Sequence, residues 1–114
     1  MKEYMTLLNK TVDAIGHVNL ANLRIYDLEN KNPFYNIVII GTGTSRQSDA
    51  LIGYLKDELK NAYEIKGVEG KQTGWLLIDL GDIIIHIFDQ ENRGFYNFDD
   101  KFIGFKELTE QYIK

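Results

Sequence analysis

Cysteine is absent from the 114 residues, which excludes disulfides, thiolate metal sites and cysteine nucleophiles. Only His17 and His86 supply imidazole, so a histidine-rich metal site has nothing to draw on. The single proline, Pro33, lies in the one obvious loop. No run approaches the ~20 apolar residues of a membrane-spanning helix. Met1 to Lys10 lacks an apolar core of signal-peptide length, so a cytoplasmic protein is the expectation. Cations are in the minority: thirteen Lys and Arg against seventeen Asp and Glu leave a formal net charge of −4. Sequence-independent binding to bare nucleic acid needs clustered cations facing phosphate. The balance suits a basic protein partner better.

What is present is ordinary for a folding chain, with 44% apolar and 26% charged residues. The length fits one domain spanning residues 1–114. Met5, Leu8, Val12 and Ile15 recur at helical spacing, widened by Tyr4 and Leu7, and predict a helix from about Glu3 to His17. A strand follows over Leu23 to Leu28, with Leu23, Ile25 and Asp27 on one side and Arg24, Tyr26 and Leu28 on the other. Phe34 to Ile40 is β-branched and nearly all apolar, the pattern of a central strand covered on both faces. Gly41-Thr42-Gly43-Thr44-Ser45 then turns into a second helix, for which Thr44 and Gln47 have capping-box spacing. Its buried stripe is expected to be Leu51, Leu55, Leu59 and Ala62.

After an extended piece around Val68, the runs Trp75 to Asp79 and Ile83 to Phe88 predict an antiparallel hairpin linked by Leu80-Gly81. That register pairs Asp79 with Asp82, Leu77 with Ile84, and Trp75 with His86. One hairpin face is purely aliphatic: Leu76, Ile78, Ile83, Ile85 and Ile87. The other carries Trp75, Leu77, Ile84, His86 and Phe88, which reads either as a charge-rimmed protein-binding surface or as a second covered face. The tail from Glu91 mixes aromatics and charges and predicts short helical pieces. The order αββαβββα indicates an α+β fold, a mixed sheet with helices packed on it.

The glycine-rich turn invites a phosphate reading, because a strand-to-helix turn presents free N–H groups. A P-loop lysine is missing, and Arg46 stands where a dinucleotide fingerprint needs its third glycine. A nucleotidyltransferase would add a carboxylate pair on one strand face, and the candidate pair is Asp79 and Asp82, at opposite ends of the hairpin turn. In the expected register, Asp79 and His86 stand about four residues apart along the strand, roughly 13 Å, too far to share a metal. No nucleophile–base pair is apparent, and no cofactor or metal site is expected.

The run Val68-Glu69-Gly70, with Gly74-Trp75-Leu76-Leu77-Ile78-Asp79-Leu80-Gly81-Asp82-Ile83-Ile84-Ile85-His86-Ile87-Phe88, resembles the signature of the ribosomal silencing factor family (RsfS, also called Iojap). Glu91-Asn92-Arg93-Gly94-Phe95-Tyr96-Asn97-Phe98 is similar to that family's ExRxxYxL segment. Asp27, Phe34 to Ile39 and Gly43-Thr44-Ser45-Arg46-Gln47 match further upstream. In place of the family's closing leucine–tryptophan stands Lys101-Phe102. The resemblance implies a nucleotidyltransferase-like topology without catalysis and a homodimer when free. It also implies docking on the large ribosomal subunit through ribosomal protein L-fourteen, which blocks small-subunit joining and silences translation when nutrients are short. Membrane and sequence-specific nucleic-acid binding are not expected. By this analogy and by face, the partner surface is expected at Trp75, Leu77, Asp79, Ile84 and His86. Arg93 and Tyr96 match the motif as well, and either could instead fix the tail to the sheet.

Overall fold

Residues 4–112 are described by the structure, a computed structural model. Helix α1 (Met5–Ile15) buries Leu7, Leu8, Ala14 and Ile15, and the Thr11 hydroxyl donates to the Leu7 carbonyl at 2.7 Å. The expected start at Glu3 lies outside the described residues. The helix closes at Gly16, and His17 lies beyond it, stacked on the Tyr54 ring at 4.5 Å.

Strands β1 (Ala21–Asp27) and β2 (Ile37–Thr42) pair antiparallel, with a bulge between Ala21 and Arg24. All of β2 is buried. Ile37 and Ile39 face the helical layer and Val38 and Ile40 the opposite one, as a central strand requires. This strand starts later than expected. The amides of Phe34 and Tyr35 bind the Asn32 side chain at 2.7 and 2.9 Å, so they are spent on a local turn.

Helix α2 (Ser45–Leu59) begins on the expected capping box: the Gln47 N–H donates to Thr44 Oγ1 at 3.1 Å, and the Thr44 N–H to Gln47 Oε1 at 2.8 Å. Leu51, Ile52, Leu55 and Leu59 are buried. Ala62 is not part of this stripe. The chain leaves helical geometry at Lys60 (ψ 144°), Asn61 takes φ 71°, and Ala62 is exposed.

Then come β3 (Gly67–Glu69), β4 (Trp75–Asp79) and β5 (Ile83–Phe88), followed by α3 (Gln90–Tyr96), a 3-10 helix (Phe98–Phe102), β6 (Lys106–Glu107) and α4 (Thr109–Tyr112). The sheet order is β3-β4-β5-β2-β1-β6. Only β2 and β5 run parallel among these neighbours. Parallel neighbours need a long crossover, and α2 with β3 and β4 supplies it. The two-residue β6 was not anticipated. No helix among the described residues is long and apolar enough to cross a membrane.

The β4–β5 register differs from the expected one. Trp75 pairs with Phe88, Leu77 with His86, and Asp79 with Ile84, so the link is Gly81-Asp82 and not Leu80-Gly81. Gly81 has φ +95°, which suits the first central position of a two-residue hairpin turn. Asp79 Oδ1 accepts from its N–H at 2.8 Å and pins it there. A slip of two residues leaves every side chain on its original face, so both predicted faces stand. The aliphatic one packs under α1 and α2. On the other, Tyr26, Leu28, Val38, Ile40, Ile84 and Phe88 form a smaller core. It is covered by rings, Phe98, Phe102 and Phe105 of the tail together with Tyr35 and Trp75.

Candidate functional site

Trp75 is the hub of the aromatic face. Its ring centroid lies 4.8 Å from that of Phe88, 4.9 Å from Tyr96 and 5.7 Å from Phe98. Its Nε1–H donates to His86 Nδ1 at 3.0 Å. The new register makes this bond a diagonal one, between side chains whose backbones are not direct partners. Accepting at Nδ1 assigns the imidazole proton to Nε2. Burial holds the His86 pKa down, from 6.5 to about 4, so the ring is neutral at neutral pH, as an acceptor must be.

The structure separates the predicted partner residues by depth. Ile84 and His86 are buried, each 6% exposed, because the tail rings lie over β5. Both still line a groove of about 400 Å³ that opens through this layer. Val38, Ile84 and His86 form its floor, Tyr35, Phe98, Phe102 and Phe105 its walls, and Lys31 and Lys101 its rim. The lysine ammonium groups stand 5.5 and 5.8 Å from the ring centroids of Phe105 and Phe98, within cation–π reach. Trp75, Leu77 and Asp79 are half-buried. Asp79 is engaged locally, since Oδ2 accepts the Tyr35 hydroxyl at 3.2 Å while Oδ1 holds the hairpin turn. Tyr96 is 48% exposed beside Phe95, which is 75% exposed.

The Arg93 guanidinium is engaged within the chain. Nε and Nη2 donate to the two carboxylate oxygens of Asp99, both at 2.8 Å. Nη1 donates to Thr42 Oγ1 at 2.9 Å and Nη2 also to the Asn22 carbonyl at 2.8 Å. These bonds hold the Asp99 carboxyl below the usual carboxylate range. These four bonds tie α3 to β1, β2 and the 3-10 helix. The groove walls and rim were missed by sequence reasoning, although Phe98, Phe102 and Phe105 repeat at helix-like spacing in an otherwise charged tail.

The glycine-rich turn and the Asp79/Asp82 pair do not meet. Strand β2 starts beside Ile83 and ends beside Phe88, so the carboxylates lie at its beginning and the turn at its end, roughly 17 Å away at ~3.3 Å per residue. Asp82 Oδ1 accepts from the Asn36 side chain at 2.9 Å. The cavity beside the turn, about 210 Å³, contains Asp49, Asp89 and a single cation, Lys71. That charge balance is unfavourable for a phosphate. A Cβ at Gly43 would come within 2.7 Å of Leu20 Cδ2, the end of a flexible side chain that can turn aside. Among the described residues no group of three or more His, Asp or Glu could hold a metal ion.

Fold and site together define an α+β domain with a mixed six-stranded sheet, helical on one sheet face and aromatic, with an open groove, on the other. The family model described as "Ribosomal silencing factor during starvation" matches residues 2–108, and the chain belongs to this family, RsfS. A relative named ribosomal silencing factor RsfS from Zymomonas mobilis is 32% identical over 108 residues, covering 92% of this chain and 80% of its own. Another so named, from Haemophilus influenzae, is 36% identical over 92 residues, covering 78% and 87%. A crystal structure from Bacillus halodurans superposes with a TM-score of 0.71 at 28% identity, covering 83% of this chain and 91% of that one. One from Chromobacterium violaceum reaches 0.79 over 92% and 90% at 24% identity, a likeness of fold.

Proposed function

We propose that this chain silences ribosomes in the cytoplasm by docking on the large subunit through ribosomal protein L-fourteen, where its bulk blocks small-subunit joining when nutrients are short. Family membership supports the ribosomal target, and the aromatic face carries the reading. It holds the family's motif residues Trp75, Leu77, Asp79 and Tyr96, all partly open to solvent, above a floor of Ile84 and His86. Aromatic anchors set in an apolar groove are typical of protein interfaces. The net charge of −4 suits a basic ribosomal protein more than bare RNA. Catalysis has no part in this reading, since the turn and carboxylates an enzyme would combine lie at opposite ends of β2. The free protein is a homodimer in the same reading.

Co-sedimentation with isolated large subunits tests it. The intact protein should travel with the subunits, and Tyr96→Ala should lose about tenfold in affinity, the order of a lost interface anchor. Tyr96 is half exposed but packs on Trp75, so the variant's melting temperature should fall less than that of Trp75→Ala. No sedimentation of the intact protein, or magnesium-dependent nucleotide turnover abolished by Asp79→Asn, would overturn the reading.

A further inference from the structure

We infer that Arg93 is a positioning residue, a latch whose guanidinium holds the segment 90–102 against the sheet and so builds the aromatic face on which the proposed docking rests. Neither α3 nor the 3-10 helix contains a buried residue, so burial alone secures this segment weakly. Its rings nevertheless wall the groove and contact Trp75. Arg93 supplies the missing attachment. One side chain reaches β1 at Asn22, β2 at Thr42 and the 3-10 helix at Asp99. Asn22 lies within the β1 bulge, with φ +49° and no partner in the β1–β2 ladder, so its carbonyl is free to accept. The arrangement exploits a planar fork: two parallel bonds go to one carboxylate while two further N–H groups turn to the sheet. The Arg93 side chain is only 12% exposed, and a buried cation is tolerable only when bonded in this way. The core under α1 and α2 contains no residue of 90–102. Release of the latch should therefore loosen the docking face before the sheet.

Trp75 is the only tryptophan and reports on the latch directly. In the full-length chain, Arg93→Gln should shift Trp75 emission to the red and raise acrylamide quenching at temperatures where far-ultraviolet dichroism still shows a folded backbone. Arg93→Lys keeps the charge without the fork and should restore little. Asp99→Asn retains the bonds to the sheet and should give an intermediate change. Affinity for large subunits should fall about tenfold or more with Arg93→Gln. Unchanged emission and quenching in a folded Arg93→Gln protein would overturn the latch, as would global unfolding of both Arg93→Gln and Asp99→Asn, which would make the pair part of the main core. Should the unmodified protein fail to bind large subunits, the docking reading falls, while the Trp75 measurement still decides the latch.

Discussion

His86 accepts a hydrogen bond from Trp75 while nearly all of its surface is withdrawn from water, and both conditions favour the neutral ring. A base whose folded pKa is depressed binds protons preferentially in the unfolded chain. Its contribution is therefore complete above about pH 6.5 and is lost as pH falls toward about 4. The effect is on the order of 3 kcal/mol when fully lost. Melting temperature should drop across that window, and His86→Gln, which keeps an acceptor for Trp75, should flatten the drop. An unaltered pH profile in that variant would count against the assignment. Asp99, held low by its bonds to Arg93, adds a further loss as pH falls through its folded pKa. Sequence pattern alone leaves the face of Trp75 open to two readings, a protein-binding surface or a second covered face. Its contacts with Phe88, Tyr96, Phe98 and His86 give the ring a structural share. Trp75→Ala should lower stability by about 2 kcal/mol or more, because it strips ring contacts and unpairs His86 Nδ1. Denaturant unfolding of the purified variant measures this.

Among the elements, the β4–β5 hairpin best shows what could be read in advance. Alternation assigned its faces correctly, because a face depends only on whether a position is odd or even. The register depended on which two residues make the turn, and Leu80-Gly81 and Gly81-Asp82 satisfy the same hydrophobic pattern. Gly81 at φ +95° and the Asp79 bond to its N–H decide the matter. Two glycines here separate backbone strain from steric collision. A Cβ at Gly81 would meet nothing nearer than Lys66 Cε at 3.7 Å, whereas one at Gly70 (φ +82°) would lie 2.1 Å from the Trp75 carbonyl oxygen. Gly81→Ala should cost about 1–2 kcal/mol from its left-handed backbone alone. Gly70→Ala should cost more and also alter Trp75 fluorescence, since β4 must shift at its first residue. Equal melting temperatures for the two variants would contradict this account. The capping box of α2 was legible because both its bonds are local. Thr44→Ala should cost about 1 kcal/mol in denaturant unfolding.

For the whole molecule, a radius of gyration of 13.1 Å and extents of 37 × 33 × 28 Å provide the bulk that obstruction of an intersubunit contact requires. If obstruction is the mechanism, adding the protein before the two subunits are mixed should lower the yield of joined ribosomes in a gradient. Adding it to stably joined ribosomes should do much less, because the docking site is then covered. Equal inhibition in both orders, with the ribosomes still joined, would defeat the steric account. The sequence by itself determined the main elements, the central buried strand, the faces of the hairpin and the family. Each of these rests on local periodicity or on a contiguous motif such as Trp75 to Phe88. Only the tertiary structure decided that Ile84 and His86 lie beneath a ring layer, that Lys31 and Lys101 rim a groove, and that Arg93 is turned inward to Asp99, Thr42 and Asn22. Those outcomes depend on how a tail without strong periodicity folds back over the sheet. Contacts such as Arg93 to Thr42, made across distant parts of the chain, leave no spacing signal for a linear pattern to reveal.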